Sequence, residues 1–180
     1  MASFYPPMLL DRYMPSFRWS ERHEVTVHAA PHVALEAAAN VTWGDVALFR
    51  RLMAFRSGRR LRSSEGVLEQ MLSSGFVMLA EDAHSEFVVG VIGRFWTPRG
   101  GLVSFRSDNF TSFDSPGYAK AALNFLAEEG PTGTRLSTET RVAVTDASSA
   151  RLFALYWTGV RPFSALVRRS WLGAVERKLG

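Results

Sequence analysis

Apolar and polar positions repeat along this chain with two periods, one of strands and one of helices. "RHEVTVHA" places His23, Val25, Val27 and Ala29 on one side and Arg22, Glu24, Thr26 and His28 on the other, which predicts a half-buried strand. Pro31 then opens a helix through "HVALEAAANV", because proline is accommodated in a first turn. Asn40 ends that helix. Thr42 is expected to cap a second one, in which Val46, Phe49, Leu52 and Met53 share a side. "SGRRLRSS" reads as a loop, and "SEGVLEQMLSSG" as a short helix capped by Ser64 and stopped by Gly75.

From Phe76 the pattern changes to β. "FVMLAED" and "EFVVGVIGRFW" are apolar, β-branched runs joined by a turn at Ala83 to Ser85, a hairpin. "LVSFRSDNFTSF" predicts a further strand region. In "AKAALNFLAEE" the alternation of Ala121, Leu123 and Phe125 with Lys120, Ala122 and Asn124 favours a strand over an alanine-rich helix. "EEGPTGT" turns the chain into a last strand. There Leu136, Thr138, Thr140, Val142 and Val144 share one face, and Arg135, Ser137, Glu139 and Arg141 the other. Asp146 is expected to cap a final helix striped by Leu152, Phe153, Tyr156, Trp157 and Val160. The stripe resumes in phase after Pro162 with Phe163, Leu166, Val167, Ser170, Trp171 and Ala174, which predicts one long helix kinked at the proline.

The order is therefore one strand, short helices, about five antiparallel strands and a long helix. The fold class is α+β, with the first strand joining the later sheet and the helix covering its apolar face. The 180 residues suit a single domain over 1–180, with residues 1–20 an aromatic, proline-rich arm packed on the body. At 47% apolar and 21% charged the chain has a globular composition, and no apolar run reaches the roughly 20 residues of a membrane span. There is no cysteine, hence no disulfide or thiolate metal site, and the N-terminus lacks the pattern of a signal peptide. A cytoplasmic location is the expectation. The net charge is +4, concentrated in "RRLMAFRSGRRLR" (Arg50 to Arg62) and in Arg168, Arg169, Arg177 and Lys178. No nucleic-acid-binding pattern accompanies these arginines, so they read as a solvated basic face with no specific nucleic-acid partner.

Three stretches carry a resemblance: "DRYMPSFRWSERHEVTVHAAP", "GFVMLAED…EFVVGVIGRFW" and "GYAKAALNF…GTRLSTETRVAVTD…YWTGVRPFSALVRRSWL". With the element order, they resemble a bacterial branch of the helix-grip superfamily, also called SRPBCC, which includes START lipid-binding domains, plant pathogenesis-related allergens and polyketide cyclases. The resemblance covers most of the chain. It implies a curved antiparallel sheet wrapped around a long C-terminal helix, with short helices after the first strand. It also implies a cavity under the helix that takes a small apolar or amphipathic ligand; a minority of the superfamily are enzymes.

The residues alone favour a solid core, and the resemblance makes walls of such a space an equal reading. Phe95, Phe105, Phe110, Phe113, Phe125, Phe153, Tyr156 and Trp157 form a large aromatic surface. The expected ligand-binding residues are Phe95, Phe105, Leu123, Phe125, Thr138, Thr140, Phe153, Tyr156 and Trp157, the two hydroxyls orienting the ligand. Arg94 is expected to pair with Glu139 across the sheet. An alternative is a cyclase- or hydratase-like enzyme using Glu139, His23 or Tyr156 as acid or base. Another is a surface protein working through Arg50 to Arg62. His23, His28, His32 and His84 are not at metal-binding spacing, and no nucleotide loop or nucleophile motif is present, so neither metal nor cofactor is expected.

Overall fold

The computed structural model describes residues 8–47, 50–51, 61–97 and 101–180. The chain runs α1 (Leu9–Tyr13), β1 (Trp19–Val27), α2 (Pro31–Ala39), α3 (Val67–Ser73), β2 (Val77–Asp82), β3 (Glu86–Gly93), a 3-10 turn (Ser107–Asn109), β4 (Ala119–Gly130), β5 (Gly133–Val144) and α4 (Ala147–Leu179). The strands form one open antiparallel sheet in the order β1-β5-β4-β3-β2, with α4 packed against one face. The α+β class, the inclusion of the first strand and the long terminal helix are as the sequence predicts. The arrangement is helix-grip-like.

Register fixes the two faces. Glu21 pairs with Thr140, Thr140 with Leu123, and Leu123 with Val89, so their side chains share the face under α4. Trp19, Val142, Ala121 and Val91 form the next row of that face. The other face carries Arg22, Arg141, Ala122, Ile92 and Glu86. β4 is extended throughout, so the alternation of Leu123 and Phe125 prevails over the helix propensity of its alanines. Its hairpin to β5 closes at Gly133 with φ +138°, where a Cβ would stand 2.5 Å from the Val27 carbonyl oxygen. β2 pairs with β3 through an irregularity between Met78 and Ala80.

Three expectations need correction. The region 103–113 is not a strand: it makes the 3-10 turn and packs back on the sheet. Phe105, Phe110 and Val103 thereby cover the face opposite α4, together with Leu10 and Met14 from the arm. The centre of the sheet is thus buried on both sides, and every residue of β3 is buried, while Arg22 and Glu24 of β1 stay exposed. Gly90 on β3 makes this possible, since a Cβ there would lie 2.7 Å from Leu79 Cδ1 and 2.9 Å from Phe110 Cε2. Second, α3 starts after Gly66, two residues beyond Ser64, with no side-chain cap. Third, Thr42 does not cap with its hydroxyl; its backbone N–H (2.8 Å) and hydroxyl (2.9 Å) both donate to the Asp45 carboxylate. Phe49, Leu52 and Met53 lie outside the described residues.

Buried charges fasten the arm to this second face. The Glu86 carboxylate, 2% exposed, accepts from Leu9 N (2.5 Å), Leu10 N (3.1 Å) and Asn124 Nδ2 (2.7 Å). Arg141 donates to Asp11 Oδ1 (2.7 Å) and to the Met14 carbonyl (3.1 Å), while its Nε and Nη2 hold Glu139 at 2.7 and 3.4 Å. An anion therefore meets the first amides of α1 and a cation its last carbonyl, the polarity its backbone favours. Burial pushes the Glu86 carboxyl above its ordinary value, against the pull of its three donors.

α4 is one uninterrupted helix of 33 residues, about 50 Å long, with Pro162 inside it. Asp146 caps it as expected, accepting from Ser149 N at 2.9 Å, and also from the Ser148 hydroxyl and Gly117 N. At the far end Lys178 Nζ reaches Asp45 Oδ2 at 2.7 Å, and Arg177 donates to the Asp45 carbonyl.

Two predictions follow from these anchors. The hydrogen bond from Ser148, then those from Ser149 and Gly117, hold the Asp146 carboxyl well below its ordinary 3.8. Such a group stabilises the fold above its unfolded pKa and loses that effect as pH falls towards the folded one. Asp146→Ala should therefore lower the urea midpoint at pH 7, with the deficit shrinking below about pH 3.8. Arg141→Met leaves Glu139 with no guanidinium and should cost about 3 kcal/mol in equilibrium unfolding.

Candidate functional site

α4 meets the sheet tightly at two places and loosely between them. Near its start Phe153 sits in an aromatic nest, with ring centroids at 4.7 Å to Trp19, 6.3 Å to Trp96 and 5.8 Å to Trp157. Near its end Trp171 packs on Phe125 at 4.9 Å and donates its indole N–H to the Ala38 carbonyl at 2.8 Å. Over the intervening span the sheet presents Val91, Ala121, Thr140 and Val142, while the helix presents Val160 and Ser164. Between them lies a chamber of about 200 Å³, partly open to solvent. Its walls include Phe95, Leu123, Phe153, Tyr156 and Trp157. A second chamber of about 210 Å³ lies towards Trp43, Val67 and Trp171, and Met71, Phe76 and Arg168 border both. Either alone is smaller than the roughly 300–1,000 Å³ of a small-molecule site, and the two joined fall within that range.

Six of the nine expected wall residues line the first chamber: Phe95, Leu123, Thr140, Phe153, Tyr156 and Trp157. The structure does not bring Phe105 to it; that ring packs on Phe110 at 5.5 Å on the opposite face of the sheet. Phe125 and Thr138 are on the correct face but sit in the solid core under Trp171. Phe125 stacks on Phe87 at 5.2 Å, and the Thr138 hydroxyl donates to the Asn124 carbonyl at 2.7 Å. Thr140 differs: its buried Oγ1 has no hydrogen-bond partner.

Glu139 faces away from the chamber and is bound by Arg141, so it is no acid or base for that space. Arg94 does not pair with it. Glu139 lies level with the middle of β3, while Arg94 lies beyond its end and stacks over the Tyr118 ring at 4.6 Å. His23 Nε2 lies 2.9 Å from Glu21 Oε1 on β1, one strand away from the chamber wall. Most of Arg50 to Arg62 lies outside the described residues.

Sequence reasoning missed Arg168 by placing it in the solvated C-terminal basic cluster. The structure turns it inward: it is 7% exposed, borders both chambers, and its Nε has no hydrogen-bond partner. Burial lowers its pKa to about 10, and the neighbouring Glu21 carboxylate only partly offsets this. The group remains a cation at neutral pH. The signal was in the helical period, since Arg168 falls four residues after Ser164 and three before Trp171 on the covered stripe.

Compared with known proteins, the chain matches no family model and no curated sequence. No helix among the described residues is long and apolar enough to cross a membrane. Among the same residues no group of three or more histidine and acidic side chains could hold a metal ion.

A buried cation without a hydrogen-bonded partner costs stability that an apolar side chain of similar length does not. Because Arg168 also faces the buried Glu21 carboxylate, the double variant Arg168→Met/Glu21→Leu, which leaves neither charge alone, should raise the unfolding free energy of the ligand-free protein by roughly 1–3 kcal/mol, read by urea titration.

Proposed function

We propose that this protein binds a small apolar or amphipathic molecule between its sheet and α4, as a binding member of the helix-grip SRPBCC group. The observation that carries the reading is the chamber itself. It is a concave apolar pocket, partly open to solvent, between two tightly packed ends of one helix. Its lining is almost wholly apolar, with Thr140, Ser164 and Arg168 as the polar exceptions, the usual composition of a ligand site. The residue resemblance supports the same reading. The guanidinium of Arg168, charged at neutral pH, serves binding better than proton transfer, so binding is the reading the chamber favours over catalysis.

Native mass spectrometry of protein purified from its own host should show a co-purified small molecule. Ser164→Phe, which fills the chamber from the helix side, should keep the fold by circular dichroism and lose the added mass. Protein that carries no small molecule, and that takes up no xenon at this position, would remove the proposal.

A further inference from the structure

We propose that the ligand is a single-headed carboxylic acid, its carboxylate held by Arg168 and Thr140 and its hydrocarbon tail in the chamber walled by Val91, Val142, Phe153 and Trp157. The inference rests on the cavity reading above and adds the chemistry of the head group. Two unsatisfied polar groups border this one apolar space: the Arg168 Nε–H, on a side chain more than nine-tenths buried, and the Thr140 hydroxyl, 8% exposed. One is a cationic donor and the other a hydroxyl, which together suit an acceptor carrying negative charge. Buried polar groups are nearly always paired, so two unpaired ones at the same cavity mark the place of an absent partner. Among the described residues no side chain hydrogen-bonds Arg168 Nε or Thr140 Oγ1. Glu21, whose charge acts on Arg168, has one oxygen engaged by His23 and the other without a partner.

The chamber sets the tail. A cavity of about 150 Å³ holds benzene, so one of about 200 Å³ suits a tail of roughly eight carbons. Longer tails reach the second chamber past Met71, Phe76 and Arg168, which border both; of these, methionine adapts most readily to such changes.

The test is isothermal titration of the full chain with octanoate, 1-octanol and octylamine at pH 7. Octanoate should bind at least tenfold more tightly than octanol, and octylamine more weakly than either. Arg168→Met should erase the preference for the acid while keeping octanol binding, and Thr140→Val should weaken octanoate several-fold. In NMR spectra one arginine Nε–H resonance, absent from Arg168→Met, should move on adding octanoate. Equal binding of acid and alcohol, or a preference for the acid that survives Arg168→Met, overturns the head-group assignment and leaves the cavity reading intact. Failure of all three probes, with no xenon uptake, overturns both.

Discussion

The cavity exists because α4 is held at both ends. Asp146 and the aromatic nest around Phe153 fix one end; Trp171, Lys178 and Asp45 fix the other. The continuous helix fixes the phase and separation of its two ends, although Pro162 removes one backbone hydrogen bond from its middle. The chamber lies where Ala121, Val91 and Thr140 face Val160 and Ser164. The space between is set by the anchors, and the composition of the middle span determines whether it is filled. The same continuity explains Arg168. Its helical phase is dictated by Phe153 and Trp171, and that phase directs it to the sheet side.

The opposite face of the sheet solves a different problem. A five-residue helix has little stability of its own, because nucleation consumes most of what so few hydrogen bonds return. α1 is nonetheless in place, since Glu86 meets its opening amides and Arg141 its closing carbonyl. These charges are buried with their partners supplied, in contrast to Arg168, whose Nε is buried with none. The two faces of one sheet thus hold charges of opposite purpose. One set is hydrogen-bonded within the chain, and the other includes a guanidinium Nε that is not.

Much of this was legible in the sequence. β5 and α4 are strongly periodic, and Asp146 stands at the junction with the chemistry of a cap. β4 was legible once its alternation was weighed above its alanines. The covering of the second face was not anticipated, although "FVVGVI" carried the sign: a run without polar alternation is apolar towards both sides. Val103, Phe105 and Phe110 read as a strand because they are apolar, yet Ser107, Asp108 and Asn109 between them favour a turn. Five cavity residues followed from strand and helix phase, and Phe95, expected on a strand that ends at Gly93, reaches the cavity from the turn beyond it. Phe105 failed because its phase was taken from a strand that does not form. Arg168 was hidden by its charge, since arginines near a chain end ordinarily face water.

The sheet is open, and its two outermost strands offer backbone groups to any passing chain. On β1 the solvent-facing row carries Arg22 and Glu24, so a foreign strand laid alongside would have to bury or match both. On β2 the irregularity between Met78 and Ala80 breaks the even spacing of the hydrogen-bonding groups, and Glu81 and Asp82 end the strand exposed. Neither border offers the long, flat, neutral template on which copies of a protein add to one another as fibrils. A sheet left open at both sides is kept from edge-to-edge addition by the roughness of its rims.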